Sequence, residues 1–280
     1  MEREVRLRWV RAVYYSGVAV VAAVAHASGL DGVIGSGAAS FLSRNSEAYV
    51  LMLLVPLYWD AISGRGSGRR GAWYAFLAIG TVALQAGAIG AGWASDIPTS
   101  VVTLGEGFAG VLAMSVYFDL TRSPRFESGL APATWRAAYY LVAMVVMVLV
   151  HQDAVLSSLV SSVADVIAIN TEAYAAVILI PFYFDVISPT LARGRPLEDA
   201  SPRPGWVRAL WYAGLVLVPL AAAPDAEHWL TPLAHWLSLT TEAFIAAIVI
   251  SLYFDAVRWV DRDQLRVSGA SQDHGSTDLR

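Results

Sequence analysis

Long apolar stretches alternate with short polar connections along almost the whole chain. A helix that crosses a bilayer needs about 20 mainly apolar residues. Eight stretches of roughly this length occur, near residues 10–28, 46–63, 72–93, 103–120, 136–152, 168–188, 206–223 and 240–258. This pattern predicts an all-α integral membrane protein with eight transmembrane helices.

Every second stretch carries the same motif, which begins with Glu and ends 13 residues later with Asp. Between them come a small residue, an aromatic residue, six further residues, then Pro or Ser, one residue of any kind, Tyr and a second aromatic residue. The copies run from Glu47 to Asp60, Glu106 to Asp119, Glu172 to Asp185 and Glu242 to Asp255. Four copies of one pattern indicate an internal repeat.

A second motif opens the intervening stretches and reads Arg, small residue, any residue, aromatic residue, Tyr. It begins at Arg11, Arg70, Arg136 and Arg208. The separation from each Arg to the following Asp is 49, 49, 49 and 47 residues. We therefore predict four tandem parallel helical hairpins, called units one to four, at about residues 9–63, 68–121, 134–188 and 206–258.

The remaining parts of the chain complete the predicted architecture. The four units form one membrane domain over residues 1–260, and the polar segment 261–280 is predicted to be a disordered cytoplasmic tail. Helical spacing in segments 157–170 and 228–239 predicts short interfacial helices on the outer side. Units one and three share a proline, Pro56 and Pro181, where units two and four have Ser115 and Ser251.

Charge and composition orient the chain and exclude several kinds of chemistry. Arginine residues concentrate at both ends and in every second connection, which predicts a multi-pass cell-membrane protein with both termini cytoplasmic. Hydrophobic residues make up 56% of the chain and charged residues 15%. The chain has no lysine, which excludes covalently bound retinal, and no cysteine, which excludes disulfides and thiolate metal ligands. The sparse basic residues do not suggest a nucleic-acid partner.

The Arg and Asp motifs predict structural ion pairs. The Arg that opens one motif and the Asp that ends the other both lie at the cytoplasmic end of each hairpin. There a guanidinium group and a carboxylate can join two antiparallel helices. The predicted pairs are Arg11 with Asp60, Arg70 with Asp119, Arg136 with Asp185 and Arg208 with Asp255.

The glutamates suggest a polar layer in the outer half of the membrane. One interpretation is helix capping, because an acid in a first turn is favoured by the helix dipole. The other is a functional site, because an acid at this depth is costly. His26 and His151 each precede a unit's Glu by 21 residues. The candidate ligand- or ion-binding set is Glu47, Glu106, Glu172, Glu242, His26, His151, Gln85, Asn45 and Asn170, and the candidate metal ligands within it are His26, His151, Glu47 and Glu172.

The interior face of the repeated helices is predicted to be apolar. Eleven residues after each Glu, almost in line with it on a helix, the chain has Tyr58, Tyr117, Tyr183 and Tyr253. Between them on that face lie Leu51, Gly110, Ala176 and Ala246, then Leu54, Ala113, Leu179 and Val249. This lining favours a gated pathway or a closed bundle over a permanently open pore.

Three functions fit this pattern. The first is a transporter or gated channel for a cation or a proton-coupled small solute. The second is a membrane redox protein or enzyme that binds haem or a divalent metal ion through His26 and His151. The third is a non-catalytic subunit or scaffold. Since no known catalytic motif occurs, we expect a protein that is not an enzyme, whose partners are the lipid bilayer and a cation or small solute. The sequence leaves an oligomer open.

Overall fold

The computed structural model describes residues 2–25, 32, 35, 46–63, 66–85, 104–122, 131–149, 171–187, 205–221 and 241–273. Within these residues the chain is helical and contains no strand, so the all-α prediction is confirmed there. The eight helices are α1 (Glu2–Ala25), α2 (Ser46–Leu57), α3 (Ser67–Gln85), α4 (Leu104–Arg122), α5 (Ala131–Leu149), α6 (Thr171–Phe182), α7 (Gly205–Ala221) and α8 (Thr241–Asp273). The repeated Glu-to-Asp motif lies in the even-numbered helices.

The four even-numbered helices close into a ring. Helix α2 packs against α4, α4 against α6, α6 against α8, and α8 returns to α2. The ring has a Glu end, where the motif begins, and an Asp end, where it finishes. Close approach is helped by small residues: a side chain added at Gly110 of α4 would lie 3.6 Å from Cβ of Ala173 in α6.

The odd-numbered helices pack on the outside of the ring. Helix α1 contacts both α2 and α8, and α5 contacts α6 and α4. Helix α3 packs on α4, and α7 packs on α8. Their outward faces carry large apolar side chains, such as Val13 on α1 and Ile79 on α3, which are 67% and 68% exposed. The outward faces of these helices are therefore apolar.

Proline changes the inner helices of units one and three. Pro56 and Pro181 lie in the last turns of α2 and α6, which continue as π-helical turns over Tyr58–Ile62 and Tyr183–Ile187. A proline has no N–H group, so the carbonyl four residues before it loses its helical partner. These carbonyls belong to Met52 and Val177.

Tyrosine hydroxyls of the outer helices donate hydrogen bonds to the two freed carbonyls. The Tyr14 hydroxyl donates to the Met52 carbonyl at 2.6 Å, and the Tyr139 hydroxyl donates to the Val177 carbonyl at 2.7 Å. Units two and four have Ser in place of Pro and Trp in place of this Tyr. There Trp73 and Trp211 donate from Nε1 to the hydroxyls of Ser115 and Ser251, each at 3.1 Å. Pro occurs with Tyr, and Ser occurs with Trp, because the Tyr hydroxyl reaches the carbonyl freed by Pro and the Trp Nε1 group reaches the Ser hydroxyl.

Helix α1 is the one described helix that combines the length and the apolar character needed to cross a membrane, over Glu4–Ala25. Arg136–Val146 and Ala173–Ile187 are apolar but shorter.

The predicted disordered tail begins at residue 261, whereas helix α8 continues to Asp273. The sequence "DRDQLRV" has no Gly or Pro and contains good helix formers with acids and arginines three or four residues apart, which favours continuation. Residues 274–280, and the predicted interfacial helices at 157–170 and 228–239, lie outside the described residues.

Candidate functional site

Ion pairs join the outer and inner helix of every unit at the Asp end. Each guanidinium group faces the carboxylate at the end of its own unit, as the spacing predicts. The N···O distances are 3.0 Å for Arg11–Asp60, 3.9 Å for Arg70–Asp119, 3.5 Å for Arg136–Asp185 and 3.7 Å for Arg208–Asp255. The arginines remain partly exposed, so their main effect is to fix the register of the two helices.

A tyrosine of the same outer helix donates to each of these carboxylates. The donors follow the Arg by four residues and therefore lie on the same helix face. The bonds are Tyr15 to Asp60 (3.0 Å), Tyr74 to Asp119 (2.7 Å), Tyr140 to Asp185 (2.9 Å) and Tyr212 to Asp255 (2.9 Å).

A third donor comes from the preceding unit of the ring. Tyr58 of unit one donates to Asp119 of unit two at 2.5 Å, and Tyr183 of unit three donates to Asp255 of unit four at 2.9 Å. The same bond joins Tyr117 to Asp185, and Tyr253 of unit four to Asp60 of unit one. The four inner helices are thus linked by a complete circle of Tyr–Asp hydrogen bonds.

Four aromatic side chains meet in the middle of this circle and form an aromatic plug, consisting of Trp59, Phe118, Phe184 and Phe254. The ring centroids of Trp59 and Phe184, from opposite units, are 4.9 Å apart. Phe184 also lies 5.2 Å from Phe118 and 4.9 Å from Phe254, and it is fully buried. The axis is therefore closed at the Asp end.

Apolar layers fill the axis above the plug. One turn before the plug lie Val55, Met114, Ile180 and Ile250, each 1% exposed. The next layer combines Leu51 with the small residues Gly110, Ala176 and Ala246, all buried. The prediction that Leu54, Ala113, Leu179 and Val249 share this interior face is wrong, because they are partly or fully exposed. The axial face is rotated toward the residue eight positions after each Glu, which suits contact with both neighbouring helices.

The glutamates at the other end of the ring are buried. Glu47, Glu106 and Glu242 are 5%, 7% and 9% exposed, and each lies in the first turn of its helix. The Oε2 atom of Glu47 accepts no hydrogen bond from the described residues. Tyr174 of unit three lies within electrostatic range of Glu106, and Tyr49 of unit one lies within range of Glu242. Glu106 and Glu242 therefore lie toward the next unit of the ring.

The other residues of the predicted polar layer are described only in part. Gln85 is buried against the start of α4, where a side chain at Gly105 would lie 2.7 Å from its Cγ atom, so Gln85 lies at the level of Glu106. His26, His151, Asn45 and Asn170 lie outside the described residues, as does the side chain of Glu172. Among the described residues no group of three or more His, Asp or Glu side chains could hold a metal ion. The predicted metal and haem ligands remain predictions.

Two features of the site were not predicted from the sequence. The circle of Tyr–Asp bonds joins residues of different units, whereas the motif was assigned only contacts within a unit. The aromatic plug belongs to the same motif, since its residues lie between Tyr and Asp. An aromatic residue at this place in all four copies is the signal that would have indicated an axial cluster.

No family model, no curated protein and no solved structure matches this chain.

Proposed function

We propose that the protein is a membrane-embedded, gated pathway for a cation or for protons. The observation that carries this proposal is the ring of inner helices. Buried carboxyl groups lie at one end of its axis and the aromatic plug closes the other end. A carboxylate layer attracts cations, and an apolar constriction blocks their passage until it widens.

The surface of the molecule supports a location in the bilayer. Large apolar side chains cover the outward faces of all four outer helices, including Val13, Ile79, Leu141 and Leu210. Soluble proteins rarely expose continuous apolar areas of this size to water. In a bilayer the same faces would contact acyl chains at no cost.

Exposed tryptophans support an interface at the Asp end. Trp9 and Trp206 each lie two residues before the arginine of an ion pair, and Trp259 lies four residues after Asp255. Tryptophan is enriched where the apolar core meets water, and arginine is enriched on the cytoplasmic side. The Asp end is then cytoplasmic, and the Glu end opens toward the outside.

The proposed mechanism begins with a cation entering at the Glu end. Its charge compensates the buried carboxyl groups and so changes how the N-terminal ends of the inner helices pack. Pro56 and Pro181 interrupt the hydrogen bonding of α2 and α6 between the carboxyl layer and the plug. Bending there would withdraw Trp59 and Phe184 from the axis and open the cytoplasmic end.

A flux experiment with purified protein in liposomes tests the proposal. We expect thallium(I) or proton flux into liposomes that contain the native protein, driven by a negative internal potential. The double variant Glu47→Gln with Glu172→Gln keeps the side-chain shape and removes two negative charges. Its flux should fall at least about tenfold. Equal flux in the two preparations would show that the carboxyl groups of Glu47 and Glu172 are not needed for conduction.

The filled axis favours a second candidate, a non-conducting scaffold. Val55, Met114, Ile180 and Ile250 leave the middle of the ring closed, and the fourfold contacts would then serve packing alone. Flux no greater than that of empty liposomes, for the native protein and for variants with a smaller plug, would favour the scaffold.

A further inference from the structure

The four glutamates differ in the aromatic residue that the next unit of the ring has at one motif position. The residue two positions after each Glu alternates along the chain: Tyr49, Phe108, Tyr174 and Phe244. Glu106 lies within electrostatic range of Tyr174, and Glu242 lies within range of Tyr49, in each case in the next unit of the ring. The equivalent positions in the units that follow Glu47 and Glu172 are Phe108 and Phe244, which have no hydroxyl group.

From this alternation we propose that Glu47 binds the cation, whereas Glu106 and Glu242 hold neighbouring units together. This inference rests on the proposed function and names the group at which the ion binds. In the sequence repeat, Glu172 of unit three is the counterpart of Glu47.

Glu47 shows why such a site needs a ligand. The side chain is 5% exposed, and its Oε2 atom is buried with no hydrogen-bond donor among the described residues. A buried carboxylate oxygen without a donor is costly, and a bound cation removes that cost. Its surroundings are tight, because a side chain at Gly107 of α4 would lie 3.1 Å from the Glu47 carbonyl.

The ligand should carry a single positive charge. Divalent ions such as Ca²⁺ take about six to eight oxygen ligands and usually several carboxylates. Within the described residues no three acidic or histidine side chains gather. A site with one carboxylate among the described residues therefore suits a monovalent cation better.

The same two units contain the proline interruptions. Glu47 opens α2, which ends in Pro56 and a π-helical turn, and Glu172 lies in the first turn of α6, which ends in Pro181 and the second π-helical turn. Units two and four instead have continuous helices joined to their outer partners by Trp–Ser hydrogen bonds. The helix that carries the inferred site therefore has a proline interruption at which it can bend.

Single variants with matched controls test the inference. We measure the melting temperature of the purified protein in sodium or potassium chloride against choline chloride, together with thallium(I) flux in liposomes. A cation that binds the folded state raises the melting temperature. The native protein and Glu106→Gln should show this rise, and Glu47→Gln should lose it. Flux should fall about tenfold in Glu47→Gln and clearly less in Glu106→Gln.

A second pair of variants leaves every carboxyl group in place. Phe108→Tyr adds a hydroxyl at the position equivalent to Tyr174, and it should weaken the response to the cation and lower the flux. Tyr174→Phe removes the hydroxyl beside Glu106; it should lower the melting temperature in choline chloride and keep the response to the cation.

The outcomes separate the inference from the proposed function. Equal loss of the cation response in Glu47→Gln and Glu106→Gln, or an unchanged response in Phe108→Tyr, would overturn the inference while leaving a conducting protein. A cation response that depends on Glu47 without any flux would support the site and contradict the channel. No cation response in the native protein would overturn the site directly.

Discussion

Tyr253 donates a hydrogen bond to Asp60 across 193 positions of the chain. This bond joins the last inner helix to the first, and it repeats the contact that Tyr58 makes with Asp119 between units one and two. Asp60 also accepts a hydrogen bond from Tyr15 and forms an ion pair with Arg11, both of its own unit. One carboxylate therefore joins three helices, and the ring closes through four such junctions.

Removing the closing hydroxyl should destabilise the fold. A hydrogen bond to a charged group contributes about 1.5–3 kcal/mol, so Tyr253→Phe should lower the free energy of unfolding by about that amount. Denaturant titration of the detergent-solubilised protein measures it. In an Asp60→Ala background the same substitution should cost clearly less, because its acceptor is gone. Equal costs in the two backgrounds would show that this bond does not stabilise the ring.

Tyr14 should matter only while Pro56 is present. Tyr14→Phe leaves the Met52 carbonyl without its donor and should cost about 1–3 kcal/mol. Pro56→Ala restores an N–H group that can bond this carbonyl within the helix. In that background Tyr14→Phe should cost less than about 0.5 kcal/mol. The equivalent pair, Tyr139 and Pro181, provides an independent repetition; additive effects in both units would contradict the assignment.

The Trp–Ser pair of unit two should be exchangeable for the Tyr–Pro pair of unit one. Ser115→Pro alone removes the acceptor of Trp73 and frees the Val111 carbonyl, so it should destabilise by about 3 kcal/mol or more. Adding Trp73→Tyr supplies a hydroxyl at the position that Tyr14 occupies in unit one. We expect the double variant to recover at least about 1 kcal/mol relative to Ser115→Pro. A double variant no more stable than the single one would argue against this match.

A smaller plug should increase flux. Phe184 contacts the other three plug residues, so Phe184→Ala should open a cavity on the axis and raise thallium(I) flux about tenfold or more. The same cavity should lower stability by about 3–5 kcal/mol. Phe182→Ala is the matched control, because Phe182 lies on the same helix but is partly exposed and packs on Trp211. A similar rise in flux for both variants would indicate general leakage.

The helices and their pairing within units were predictable because both depend on local spacing. The apolar stretches, the Arg motif and the Asp motif each recur at a fixed distance, and the Arg11–Asp60 contact follows from two antiparallel helices. The order of units around the axis was not predictable. A tyrosine eleven residues after Glu can reach its own unit or the next one, and helix packing decides between them.

The polar layer was predictable only in outline. The sequence placed Glu47, Glu106 and Glu242 at helix starts, and burial of their side chains agrees with inward placement. The difference between Tyr174 and Phe108 distinguishes the glutamates of the preceding units only once the order of units around the ring is known. The axial face was misassigned because an ideal period of 100° per residue does not include the rotation that lets each helix contact two neighbours.

Chemical labelling of the axis tests the central claim most directly. The chain has no cysteine, so Val55→Cys introduces a single thiol one turn above the plug. In a Phe184→Ala background, a charged thiol reagent should label Val55→Cys and block most thallium(I) flux. The control Ile79→Cys, on the exposed face of α3, should leave flux unchanged after treatment with a lipid-soluble thiol reagent. Undiminished flux after complete labelling at Val55→Cys would show that ions do not pass along the axis of the ring.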